Sequence, residues 1–189
     1  MLNALLHPNK KAFLATVAFA VFGILGWLTK VTDPLSSAPL LLYYLLLLVN
    51  TYFSIRFFAV ITPVEKISQH TADILLGLCI LLMSMNLNNA LWFFMWATLL
   101  FMLATVKYAL LLGAIPHPRL LKRKILVDLS GIVASAFALL GALFGYPSAS
   151  AWVYTFLYLL ANIYLMIVNP LYRLLDNIEE SRRNANIDG

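Results

Sequence analysis

The stretch Lys107-Tyr-Ala-Leu-Leu-Leu-Gly-Ala-Ile-Pro-His-Pro-Arg119-Leu-Leu-Lys122-Arg123-Lys124 joins two long apolar runs, Leu91–Ala114 and Ile125–Phe144. It holds five of the 13 lysines and arginines of the 189-residue chain. Seven more stand in three comparable places: Lys10 and Lys11 before the first apolar run, Arg56 and Lys66 after the second, and Arg173, Arg182 and Arg183 after the last. Only Lys30 falls at the opposite ends of the runs. Positive charge on alternate connections is the orientation signal of a protein that crosses a membrane several times. The fold class it predicts is all-α and polytopic, with both termini cytoplasmic.

Composition points the same way. Hydrophobic residues make up 62% of the chain and charged residues 11%. Soluble domains carry about 45–50% and about 25%. The net charge of +5 does not read as a nucleic-acid footprint, because the basic residues flank apolar runs and form no basic domain of their own. They read as anchors facing anionic lipid. The single cysteine, Cys79, lies within an apolar run, which excludes an intrachain disulfide and a cysteine metal site and reads as an inert buried thiol.

A helix needs about 20 residues to cross a hydrocarbon core of about 30 Å. Six segments approach that length: Ala12–Leu28, Leu40–Ile61, Thr71–Met85, Leu91–Ala114, Ile125–Phe144 and Ala151–Pro170. The first exceeds a signal-peptide core of about 7–15 residues and lacks a clear cleavage site before Pro34, so it is expected to be retained. The third is short and must reach back past Asp73 or sit in thin membrane. All eight prolines are expected at or between segment ends, since an interior proline costs a helical hydrogen bond. Trp27, Trp92, Trp96 and Trp152 lie where an interfacial belt on the non-cytoplasmic side requires them.

The spans repeat. Leu-Leu-Val-Asn50-Thr-Tyr52 and Leu-Leu-Ala-Asn162-Ile-Tyr164 match, with Met-Leu-Ala-Thr105-Val-Lys107 in the same place of the fourth span. Asp73 and Asp128 head similar segments of the third and fifth spans. The chain therefore reads as one membrane domain, 1–175, of three helical hairpins (11–61, 67–115 and 120–175) with pseudo-threefold packing. A cytoplasmic tail, 176–189, follows, partly helical and then disordered. Leu171, Leu174, Leu175 and Ile178 share a helical face leading into it.

Three sets of residues carry functional readings. Asn50, Thr105 and Asn162 lie near mid-span, and each needs a partner there. They read as interhelical hydrogen-bond glue, or more sharply as a polar constriction for a small solute. Asp73, Lys107, Arg56 and Asp128 are ionisable and near spans, where a charge is a functional hypothesis by default. Asp73 is expected to pair with Lys107 or Arg56. Asp128 follows Lys124 by four residues and is expected to pair with it. Gly131, Ser135, Ala138, Ala142 and Gly145 are spaced to form a small-residue helix-packing face. His7, His70 and His117 are isolated, and no catalytic motif is recognisable. No cofactor and no metal are expected.

At the level of the hairpin repeat, best over Asp73–Gly113 and Asp128–Pro170, the chain resembles the HdeD family of small six-span acid-resistance membrane proteins. The resemblance implies a bacterial inner-membrane protein without known catalytic residues and carries over no sites. The expected function is a non-enzymatic structural, sensing or accessory component of a membrane assembly. Expected partners are the lipid bilayer and a second copy or another membrane or cytoplasmic protein. The alternatives are a small channel or transporter and, third, a lipid-modifying enzyme.

Overall fold

The computed structural model describes residues 8–61, 67–112 and 118–168, all helix and short turn. Six α-helices follow one another: α1 (Pro8–Lys30), α2 (Pro34–Ile61), α3 (Ile67–Met85), α4 (Ala90–Leu111), α5 (Pro118–Leu143) and α6 (Pro147–Ile163). A π-helical stretch, Tyr164–Val168, continues α6. Five of them, all but α3, are long and apolar enough to cross a membrane. Large apolar side chains stand exposed on every helix, for example Ile24, Leu45, Ile74, Leu110, Phe137 and Phe156. A soluble protein of this size does not leave so much apolar surface in water. The chain is an integral membrane protein.

α3 does reach back past Asp73. Its 19 residues span about 28 Å at 1.5 Å per residue. The tail 176–189 and the amphipathic face around Leu171–Ile178 lie outside the described residues.

Two expected boundaries are corrected. Pro39 does not precede its helix; it sits inside α2, fully buried. Asp33 starts that helix. Its Oδ1 accepts the Leu35 amide at 3.1 Å, and Pro34 occupies the first helical position, where a proline loses nothing. The Pro39 carbonyl in turn accepts the Thr155 hydroxyl at 2.8 Å, tying α2 to α6. Gly145 is not part of the α5 packing face. α5 ends at Leu143, and Gly145 has φ +89°, a conformation that favours glycine. The Gly145 and Tyr146 amides donate to the carbonyls of Ala142 and Gly141, at 3.2 and 2.9 Å, closing a Schellman turn before Pro147 opens α6.

Each helix packs on its sequence neighbour within a pair: α1 on α2, α3 on α4, α5 on α6. The even helices α2, α4 and α6 also touch one another and form the centre. Threefold symmetry would seat every odd helix between two even ones. Only α5 sits so, between α4 and α6; α1 and α3 pack on each other instead. The threefold packing is thus broken, and Gly26 supplies the local reason. Its missing side chain lets the backbone of α1 press on the Ser84 carbonyl of α3, which a Cβ would meet at 2.1 Å.

The remaining small residues of α5 pack within the chain. Gly131 lies against the Phe101 ring, and the Ser135 hydroxyl accepts from Thr98 at 2.9 Å. Ala138 is buried in the core and Ala142 packs against it.

Candidate functional site

The centre of the bundle is aromatic. Tyr43 of α2 stacks on Tyr154 of α6 at 4.7 Å between centroids, and lies 4.4 Å from Tyr158. Phe93 and Phe94 of α4 meet Tyr43 and Tyr154 edge-on. All five rings are buried. Buried tyrosine hydroxyls need partners, and these have them. Tyr43 and Tyr154 share a hydrogen bond of 3.0 Å, and the Asn50 amide donates to the Tyr158 hydroxyl at 3.1 Å. Sequence reasoning missed this cluster. Its signal was present in Tyr154 and Tyr158, one helical turn apart on a span.

Asn50 and Asn162 both turn to Tyr158, one to its hydroxyl and the other, at 2.8 Å, to its carbonyl. Thr105 faces inward from α4, its hydroxyl buried and unpartnered. Asn162 Oδ1 and Asp128 Oδ2 are likewise buried without a hydrogen bond. The expected polar layer is therefore joined through Tyr158 at Asn50 and Asn162, and open at Thr105.

One end of the bundle holds two lysine–aspartate pairs. Lys107 of α4 donates to Asp73 of α3, so the pairing of Asp73 goes to Lys107. The lysine side chain is 6% exposed and the aspartate 56%. Lys124 pairs with Asp128 one turn along α5, at 3.5 Å, with both side chains buried. The two lysines are linked through rings. The Lys107 ammonium lies over Phe58 at 4.6 Å and that of Lys124 over Tyr108 at 5.8 Å. Phe58 and Tyr108 stack on each other at 4.7 Å and nearly parallel. Each ammonium thereby gains a carboxylate and an aromatic face, and at Lys124, whose carboxylate partner is also buried, both are worth more than in water.

The expected pair of Asp128 with Lys124 is present, and Lys124, counted in the sequence among the orientation charges, is also buried. Two positions before it, Lys122 is exposed. The heptad-like register of α5 turns Lys124 and Asp128 inward on the face that also holds Leu121 and Ser135. Among the described residues, no three His, Cys, Asp or Glu side chains gather as metal ligands. A shallow groove on the outside, between Phe13 and Leu14 of α1 and Tyr52 of α2, is lined mainly by apolar surface.

No family model, curated protein or solved structure matches the chain.

Proposed function

We propose that the protein is a non-enzymatic component of a membrane assembly, with six spans and both termini cytoplasmic. The observation that carries this reading is the filled centre. Tyr43, Phe93, Phe94 and Tyr154 close the axis where a solute path between the even helices would run. The hydroxyls of Tyr43 and Tyr154 are spent on each other rather than offered to a passing solute. What supports the orientation is the asymmetry of charge: Lys10, Lys11, Arg56, Lys107, Lys122, Arg123 and Lys124 against Lys30 alone. The hairpin-level resemblance to the HdeD family adds a bacterial inner membrane to the proposal. The partner is a second copy or another membrane or cytoplasmic protein.

The test is flux through liposomes reconstituted with the purified protein, comparing wild type with Asn50→Leu plus Asn162→Leu. The accessory reading expects no flux in either. Flux in the wild type that disappears in a folded double variant would replace it with the transporter reading, for which the buried Lys124–Asp128 pair is the specific support.

A further inference from the structure

Three buried oxygens without partners belong to three helices that pack on one another: Thr105 Oγ1 of α4, Asp128 Oδ2 of α5 and Asn162 Oδ1 of α6. The contacts between these helices set them at one level. Along the α4–α5 seam, Thr98 meets Ser135, Phe101 meets Gly131, and Tyr108 meets Lys124. That antiparallel register puts Asp128 opposite Ala104 and Thr105. Along α5–α6, Gly141 meets Ser150 and Ser135 lies beside Tyr154, which brings Asp128 level with residues 161–163. α4 and α6 run in the same direction, with Phe101 against Tyr158, and this sets Thr105 level with Asn162.

A buried polar atom left unpaired loses its hydration without a replacement. Three at one level of one junction describe a site rather than three separate defects. Asp128 is 2% exposed and Asn162 6%. The amide of Asn162 is committed to the Tyr158 carbonyl, so its oxygen is the atom left over. The helix then widens into its π-helical stretch two residues further on, a feature frequent at functional sites. Asp128 is only loosely held by Lys124. Their 3.5 Å separation exceeds the roughly 2.7–2.9 Å of a close charged hydrogen bond.

We propose that Asp128, Asn162 and Thr105 form an intramembrane site for a small monovalent cation, which competes with the Lys124 ammonium for the Asp128 carboxylate. A carboxylate, an amide carbonyl and a hydroxyl are the oxygen donors that hard cations take. One carboxylate balances one positive charge, which selects a monovalent ion. When the ion enters, Lys124 gives up its carboxylate contact, keeps the Tyr108 ring and moves its head toward the nearer end of the bundle along its flexible stem. The inference goes beyond the accessory reading and does not depend on it, because binding does not require passage.

The test is binding of radioactive sodium to the full-length protein in detergent, with choline chloride holding ionic strength constant. The wild type is expected to bind saturably. Asp128→Asn and Asn162→Leu each weaken binding more than about tenfold, and Thr105→Val weakens it less. Lys124→Gln, which removes the competitor, tightens it, a result that a merely structural Lys124 does not produce. Gel filtration identifies the variants that keep their fold. If Asp128→Asn does not fold, wild type and Lys124→Gln decide between them. No saturable sodium binding in the wild type, undiminished binding in folded Asp128→Asn, or weaker binding in folded Lys124→Gln each overturns the proposal. Any of these results leaves the liposome test of the accessory reading untouched.

Discussion

Lys107 and Asp73 form an ion pair whose two ends live in different surroundings: the lysine is 6% exposed and the aspartate 56%. The pair bridges α4 and α3, and the ammonium also lies on the Phe58 ring. Its energetics should therefore be lopsided. Asp73→Ala strands a buried ammonium over the Phe58 ring. Lys107→Met keeps the stem and leaves a carboxylate that can still reach polar surroundings. We expect Asp73→Ala to lower stability by about 1–3 kcal/mol and Lys107→Met by less, since the full cost of breaking a buried pair applies only to the buried partner left behind. Unfolding in micelles measures both. The reverse order would show that burial does not govern this pair.

The glycines give a graded series. A methyl at Gly26 meets the Ser84 carbonyl at 2.1 Å, a backbone atom that cannot step aside. A methyl at Gly77 meets only the Phe19 ring, at 3.5 Å, an ordinary contact. Gly26→Ala is expected to cost about 1–3 kcal/mol by overpacking, whereas Gly77→Ala is neutral or stabilising. Gly145→Ala has open space but a φ of +89°, and is expected to cost about 1 kcal/mol through backbone strain alone. Melting temperatures should rise from Gly26→Ala through Gly145→Ala to Gly77→Ala.

The hydroxyl pair of Tyr43 and Tyr154 invites a double-mutant cycle with phenylalanine at each position. The rings stay, so stacking at 4.7 Å is preserved, and the cycle separates the 3.0 Å hydrogen bond from the contact of Tyr154 with Ser135. The coupling energy is expected near the membrane-protein average of about 0.6 kcal/mol, and below about 1.7. A coupling of zero would mean that the two hydroxyls find equal partners elsewhere.

Much of the helix layout could be read from sequence because its causes are local. Apolar run length, proline position and the alternation of basic connections each act within one segment. The misplacement of Pro39 was also local: Asp33-Pro34 is a helix-start signal in its own right, and taking Pro39 as the boundary overrode it. The threefold idea failed for a different reason. It rested on the similarity of spans, whereas packing order depends on which backbone can approach which. At Gly26 the α1 backbone comes against the Ser84 carbonyl of α3, and at Gly77 the α3 backbone meets Phe19 of α1.

The candidate site was half legible. Asp73, Lys107, Asn50, Thr105 and Asn162 stood out because polar groups are rare in such runs. The i, i+4 relation of Lys124 and Asp128 was visible, but their burial was not, since both lie close to the basic connection that marks the interface. The register that sets Asp128 level with Thr105 and Asn162 follows from contacts between helices, such as Thr98 with Ser135, that no single-chain periodicity encodes.

Orientation is the last point open to direct measurement. Cys79 is the only cysteine in the chain and is 2% exposed, so the wild type should resist maleimides in the folded state. In a Cys79→Ala background, single cysteines replace Asn88, Ser148, Lys10 and Lys122, all exposed positions. With both termini cytoplasmic, an impermeant maleimide applied to intact cells labels Asn88→Cys and Ser148→Cys, at the turns before α4 and within the first turn of α6. Lys10→Cys and Lys122→Cys react only after the membrane is opened. The inverse pattern would invert the proposed topology. Labelling of Asn88→Cys together with Lys122→Cys on intact cells would mean that α4 does not carry the chain across, and that the six-span arrangement is wrong at its centre. Basic residues bias orientation through the loops nearest the spans, so moving the cluster tests the cause as well as the outcome. Replacing Lys122, Arg123 and Arg119 by glutamine while adding three lysines to the 86–90 turn should produce a mixed labelling pattern.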